Sequence, residues 1–428
     1  MTMAGAVPLL QVGRPCLPRA ETLLPYLRRI DEARWYTNRG PLVQMFEARL
    51  AEHFQIASAR AVHVATVASC TTGLILALKA AVGQRRGVCL LPSWTFAATA
   101  CAVSAAGLTG HFVDIEPDSW LIDRRQLAEL LTLAPTEFAA LLLVHPPGSA
   151  IDLDPWRQVA LDHGLALVVD AADCFDCVRP EPWLQVISLH ATKAFGIGEG
   201  GVVLSSEAEG VEFVRRLGNF GFTRDRVAAS PGINGKISEY AAAVGLAALD
   251  AWPQIRARWR ERAEAYRRVL ATYDLDLLFP ADSACAIAMV DLGGPHAAAV
   301  APELLGEGVE TRRWWGEGCH RQPAFAEWPR GPMSVTESLA ARVLGIPFHL
   351  DLTESQMNRI GQLVARALVR RKREGGISYN EPAQREPSAP EKSGQCLTTQ
   401  SEGDKPSCSL RCGIEQDSPA DQAPLEDH

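Results

Sequence analysis

Ser188-Leu-His-Ala-Thr-Lys193-Ala-Phe-Gly-Ile-Gly-Glu-Gly-Gly201 sets one lysine among small and hydroxyl residues, directly before a glycine-rich turn. Such a segment makes a poor helix and a poor strand, and a good holder for an amine beside a flat cofactor. Upstream of it lies Leu167-Val-Val-Asp170, an apolar run that ends on a carboxylate. The run reads as a buried strand, which puts Asp170 at the strand's carboxyl end, where open α/β sheets keep their sites. An amine able to form a Schiff base and a carboxylate able to pair a pyridinium nitrogen are the minimum for pyridoxal phosphate chemistry.

Outward from this pair, short apolar runs alternate with helical patterns. Residues 61–64, 87–91, 110–115, 139–145 and 165–170 read as strands, residues 69–82 as a helix, and helical segments lie between most of the strands. This βαβα order predicts an α/β fold whose sheet is largely parallel and covered on both faces. Residues 184–189 and 201–205 read as consecutive strands around the glycine turn, and residues 236–273 as one long helical stretch. Beyond it, a strand at 286–291 and helices at 337–344 and 354–369 suggest a smaller α/β domain. The expected division is a large domain over 12–245, a smaller one over 246–370, and a tail over 371–428. That tail is rich in Pro, Ser, Glu, Gln and Gly, which cannot bury enough apolar area to offset chain entropy, so disorder is expected.

With 428 residues and 47% hydrophobic content, the chain has material for a sizeable core. A net charge of -8 argues against a nucleic-acid partner. No apolar run has the length of a membrane span, and the first residues lack the pattern of a secretory leader. Eleven cysteines, an odd number scattered through apolar segments, read as reduced thiols in a cytoplasmic protein.

Three further segments suit a phosphate-bearing cofactor, each with a plainer reading beside it. Ala68-Ser-Cys70-Thr71-Thr-Gly73 lies where a strand hands over to a helix, so its free amides and hydroxyls can hold an anion or merely cap the helix. Pro92-Ser-Trp-Thr-Phe96 follows another strand and offers an aromatic ring to the same edge, or to the core. Gly232-Ile-Asn234-Gly-Lys236-Ile-Ser238 opens the long helix, where Asn234 or Ser238 could be no more than a cap.

Taken in order, these segments resemble the DegT/DnrJ/StrS-type sugar aminotransferases, pyridoxal-phosphate enzymes of the aspartate aminotransferase fold (fold type I). The likeness runs over residues 12–367. It includes Tyr36-Thr-Asn-Arg-Gly40-Pro41, Pro92-Ser-Trp-Thr-Phe96-Ala-Ala-Thr99, Val113-Asp114-Ile-Glu-Pro117, Val169-Asp170-Ala-Ala172, the lysine segment with Gly198-Glu-Gly-Gly201, and Leu344-Gly-Ile-Pro347. The resemblance implies that Lys193 forms the Schiff base, that Asp170 partners the pyridine nitrogen and that Phe96 stacks on the ring. It implies a phosphate site of Thr71, the Cys70 amide and the Ser188 hydroxyl, completed across a homodimer interface by Asn234. Thr37 and Asn38, in the loop ending at Pro41, would lie beside the substrate, as would Arg312, Trp315 and His320. The implied reaction is ping-pong transfer of an amino group from glutamate to a nucleotide-linked keto sugar. A dTDP-4-keto-6-deoxy-glucose type is expected first, with a 3-keto sugar or a keto-cyclitol as alternatives.

This chain also departs from the family pattern. Three residues after the aspartate, where Gln or His is usual and touches the cofactor, stands Asp173. Cys70 replaces a glycine, and Lys236 replaces an arginine, keeping the charge but not the planar fork.

Other classes were weighed. Gly196-Ile-Gly-Glu-Gly-Gly201 satisfies a dinucleotide-binding pattern, but that pattern requires a helix directly after it, and an apolar strand-like run follows here. Cys174-Phe-Asp-Cys177 could be a redox pair or half a zinc site, yet no further ligands stand near it in sequence, and no metal is expected. A cofactor-binding regulatory protein on the same fold is the remaining alternative, disfavoured by the presence of both Lys193 and Asp170.

Overall fold

The computed structural model describes residues 9–56, 60–134, 137–223, 225–278 and 282–374; the tail expected to be disordered lies outside the described residues, apart from the end of the last helix. The described residues form ten strands: β1 His63–Val67, β2 Val88–Pro92, β3 Thr109–Val113, β4 Phe138–Val144, β5 Ala166–Asp170, β6 Leu184–Ser188, β7 Gly201–Ser205, β8 Leu277–Leu278, β9 Ala288–Asp291 and β10 Val343–Ile346. Eleven α-helices accompany them: α1 Ala20–Ala33, α2 Pro41–Gln55, α3 Cys70–Val82, α4 Ala97–Ala105, α5 Arg124–Leu133, α6 Asp154–Asp162, α7 Ala208–Leu217, α8 Glu239–Ala271, α9 Ala297–Gly306, α10 Ser334–Arg342 and α11 Glu354–Glu374.

The large sheet has the order β1-β7-β6-β5-β4-β2-β3, and every pairing from β3 to β6 is parallel. Strand β7 alone runs against its two neighbours. All five residues of β5, β6 and β7 are buried, as expected of strands covered on both faces, and this is why they read as unbroken apolar runs. The mixed α/β architecture expected from the alternation is thus present. So is a smaller antiparallel sheet, β10-β9-β8. One apolar cluster joins Phe46 of α2, Leu246 of α8, Val290 of β9, Leu344 of β10 and Met357 of α11.

The reversal of β7 decides where the site lies. Register pairs Gly201, the first residue of β7, with Val67 at the end of β1 and with Ser188 at the end of β6. Asp170, at the end of β5, pairs with Val144 and Val186. The lysine turn, which leads into β7, therefore stands at the same sheet edge as the carboxyl ends of β1, β5 and β6.

One expected helix differs from the sequence reading. Residues 343 and 344 fall not in a helix over 337–344 but in β10, hydrogen-bonded to β9. Pro347 biases the residue before it toward extended backbone, and an edge of β9 awaits pairing, so the chain leaves the helix at Arg342.

Candidate active site

The glycine turn has the geometry that its composition suggested. His190 and Gly198 form an isolated bridge, the amide of Ala191 donates to Gly198 O at 2.7 Å, and that of Lys193 donates to His190 O at 2.9 Å. Gly198 has φ of 103°, a backbone conformation strained for any residue with a Cβ. A Cβ on Gly201 would stand 2.9 Å from the amide nitrogen of Cys70, so the start of β7 is pressed against the start of α3. After Gly201 comes strand, not helix, which removes the dinucleotide-binding reading.

Asp170 is 5% exposed at the end of β5. The Thr99 hydroxyl donates to its Oδ2 at 2.8 Å and the Ala172 amide to its Oδ1 at 3.2 Å. Thr95 and Thr99, one turn apart, exchange a hydroxyl hydrogen bond of 2.8 Å. Burial raises the carboxyl's pKa, while the Thr99 and Ala172 hydrogen bonds and the Lys193 charge pull the other way.

The Lys193 Nζ lies 2.6 Å from Asp173 Oδ2. Burial alone would lower the ammonium's pKa, but the charge and hydrogen bond of Asp173, with help from Asp170, raise it overall. Cys70 shares this neighbourhood: burial lifts its thiol well above the usual range, and the nearby Asp170 adds to the effect.

Around this centre stand the groups suited to a phosphate. Ser69 caps α3, its Oγ accepting from the Thr72 amide at 3.1 Å, so the cap reading of this segment holds. The amides of Cys70 and Thr71 open the helix, ahead of the first i−4 bond, and remain able to meet an anion. Ser188 is buried, and its Oγ accepts from the His190 amide at 3.2 Å, leaving its hydroxyl proton to donate elsewhere. Phe96, next to Thr95 and just before α4, leaves 65% of its surface exposed, which is high for so apolar a ring. A buried carboxylate at a strand end, a nearby lysine, a helix start with free amides and an uncovered ring suit pyridoxal phosphate by their chemistry.

The other sequence-derived candidates stand on segments outside the lysine turn and the start of α3. Asn234 is exposed and forms an isolated backbone bridge with Asn219, whose Oδ1 accepts from Lys236 Nζ at 2.8 Å. Thr37 and Asn38 are exposed in the loop before α2, where Asn38 and Arg39 have φ of 60° and 58°. A cavity of about 960 Å³ is lined by Asn38, Arg39, Glu47, Asn219 and Lys236 among others, and not by Lys193 or Asp170. Arg312 lies over the Trp314 ring at 5.0 Å. Trp315 packs edge-on against Trp94 and Trp120, with centroids at 5.1 and 5.9 Å. His320 is 2% exposed and holds Ser93 Oγ at 2.6 Å through Nδ1, an arrangement that braces the segment before Phe96. Cys174 and Cys177 are free thiols, each near backbone carbonyls, which is the plain reading of that pair.

Sequence reasoning missed three parts of the site's support. Thr99 was inside a family-like stretch but had no role assigned, although its i, i+4 spacing from Thr95 was a signal. Glu47 is buried and ties α2 to β1 through Thr66, with Arg39 and Arg215 as counterions. Glu239 accepts from the Leu42 and Val43 amides at 2.7 and 3.0 Å, so the start of α8 caps the start of α2.

Comparison with known proteins agrees with this geometry. The model of the DegT/DnrJ/EryC1/StrS aminotransferase family matches residues 19–365. An Escherichia coli dTDP-4-amino-4,6-dideoxy-D-glucose transaminase is 28% identical over 375 residues, covering 82% of this chain and 97% of the relative. The crystal structure of DesI with its TDP-sugar product is 34% identical, covers 86% of this chain and 95% of its own, and superposes with a TM-score of 0.77. A putative PLP-dependent aminotransferase from Bacillus cereus ATCC 10987 is 28% identical, with 83% and 99% covered and a TM-score of 0.78. The chain belongs to the DegT/DnrJ/EryC1/StrS aminotransferase family, and pyridoxal phosphate is the cofactor its lysine edge fits.

Proposed function

We propose that this chain is a cytoplasmic homodimeric enzyme that moves an amino group from glutamate to a nucleotide-linked keto sugar of the dTDP-4-keto-6-deoxy-glucose type. The observation that carries the reading is Asp170 and Lys193 at one sheet edge, beside the open start of α3. The sugar is supported by the dTDP-sugar transaminase relative and by the TDP-sugar in the DesI structure. Among the described residues no helix is long and apolar enough to cross a membrane.

When bound, pyridoxal phosphate supplies an electron-accepting ring and a carbonyl carbon that can exchange an amino group. Asp170 would pair the ring nitrogen as a carboxylate, held from turning by Thr99 and the Ala172 amide. Phe96 would cover one ring face. The Cys70 amide, Thr71 and Ser188 would hold the phosphate, with a neighbouring subunit's copy of Asn234 completing the set. Lys193 is the residue that would hold the cofactor covalently, and its free, neutral amine would take the proton from the substrate carbon and deliver it to the cofactor. Thr37, Asn38, Arg312, Trp315 and His320 would line the sugar's side of the site.

The test is the visible absorbance of purified protein with added cofactor, before and after glutamate and then the keto sugar. A band that bleaches with glutamate and returns with the sugar is expected. A band that bleaches and stays bleached discards this sugar, and no band at all discards the enzyme.

A further inference from the structure

Two carboxylates, not one, face the lysine. Asp170 has both oxygens engaged by Thr99 and the Ala172 amide, while Asp173 gives Oδ2 to Lys193 Nζ at 2.6 Å. The other titratable groups turned toward this pair are thiols. Cys70 opens α3, Cys174 follows Asp173, and Cys285 comes from the segment before β9. Burial pushes the first two well above their usual range and Cys285 up to about 12, so all three are neutral near pH 7. On the lysine's own turn, His190 lies 3.6 Å from Glu199, and both are substantially exposed. The charges buried around Lys193 Nζ are therefore its own ammonium and the two carboxylates of Asp170 and Asp173.

If pyridoxal phosphate binds as set out above, its ring nitrogen brings the second cation, and each cation then has a carboxylate of its own. We infer that Asp173 is the counterion of free Lys193, a positioning residue that controls how readily this lysine gives up its proton. The inference rests on the aminotransferase reading only for its purpose; the ion pair itself is a property of the chain alone. An ammonium has no lone pair, so the lysine must pass a proton to solvent before its nitrogen can attack a carbonyl. An adjacent carboxylate opposes that loss, and in compensation keeps Nζ at one place instead of letting it sweep the site. A neutral glutamine in the same position would hold the nitrogen without storing its proton.

The experiment uses cofactor-free full-length protein and trace acetylation with acetic anhydride, read at Lys193 by mass spectrometry across pH 6–11. Wild type, Asp173→Asn, Asp173→Gln and Asp173→Glu are compared, with thermal melting as the check on folding. The expected result is a labelling midpoint lower by about one pH unit or more in both amide variants, and restored in Asp173→Glu. At pH 7 the amide variants should also develop the visible band with added pyridoxal phosphate severalfold faster. Folded amide variants whose Lys193 midpoint equals that of wild type would overturn the inference, as would a midpoint that follows melting temperature and not charge. Acetylation needs no cofactor, so failure of the aminotransferase reading shows separately, as absence of the band in wild type.

Discussion

Two regions of the molecule are built in opposite ways. The lysine edge is closed: β5, β6 and β7 are buried throughout, and Asp170 has polar partners on both of its oxygens. The region formed by the 35–40 loop, the 219–237 segment and the start of α8 is open. Trp35, Tyr36, Phe220, Ile233 and Tyr240 are 39–49% exposed there, and the cavity of about 960 Å³ is lined by the same loop and segment. Tyr36 and Tyr240 stack at 6.3 Å and are each about half exposed. A closed half supplies fixed charges in a dry place, whereas an open half with aromatic side chains suits contact with a second molecule. The proposed function puts the chemistry in the first region and completion by a second subunit in the second, and each half of that proposal can be broken separately.

The largest effect is expected at Lys193. Lys193→Ala should reduce transamination by about 10⁴-fold or more, because it removes both the covalent anchor and the proton carrier. Circular dichroism should match wild type, while the melting temperature should fall because Asp173 loses its buried counterion. Undiminished turnover in the folded variant would end the assignment. Asp170→Asn ranks next. An asparagine can keep its oxygen on the Ala172 amide while its NH2 donates to the Thr99 hydroxyl, which rotates to accept, so the variant tests charge at nearly constant shape. The expected loss is about 10²–10³ in kcat, with the cofactor still bound. Wild-type rates would remove Asp170 from its role.

Dryness of the closed half has a signature that needs no substrate. His145, directly after β4, is 6% exposed; its Nδ1 lies 2.9 Å from Ser149 O, while its Nε2 has no partner among the described residues. Burial lowers its pKa from 6.5 to about 4, the Ser149 hydrogen bond opposing weakly. A histidine with a depressed folded pKa favours the neutral form, so the unfolded chain binds more protons between those two values. Stability from this group is intact above about pH 6.5 and falls as pH drops toward 4, by about 3 kcal/mol in total. Urea unfolding of cofactor-free protein at pH 7 and pH 4.5 checks this. His145→Gln should lose less stability than wild type between those two conditions, and equal losses would mean that water reaches the ring.

The closed half was also the half legible in the sequence. Unbroken apolar runs mark strands buried on both faces, and a carboxylate ending one run and a lysine beside a glycine turn are local patterns. What escaped depends on distant pairs. Ser93 meets His320 across 227 positions, and Leu42 meets Glu239 across 197. Periodicity carries no record of such contacts, so nothing local in the sequence showed that His320 holds Ser93. Residues 343 and 344 read as helix because their strand partner, β9, is more than 50 positions away. The open half was legible only through resemblance, because exposed loops such as that of Thr37 and Asn38 obey neither the helical nor the strand period.

The smallest expected effect tests the open half most directly. Asn234 is exposed, and among the described residues its side chain has no hydrogen-bond partner, although the backbone on which it stands is fixed by the bridge to Asn219. A presented but unused amide suits a ligand held by the neighbouring subunit. Loss of one hydrogen bond to a charged phosphate costs about 1.5–3 kcal/mol, so Asn234→Ala should weaken cofactor affinity by about ten- to a hundredfold. Mixing decides whether the amide acts within its own chain or across the interface. In a hybrid of Asn234→Ala and Lys193→Ala chains, the one site with a lysine belongs to the Asn234→Ala chain but would receive its amide from the other. Cofactor affinity at that site should return to the wild-type value, whereas an amide acting within its own chain would leave the hybrid as weak as the Asn234→Ala homodimer.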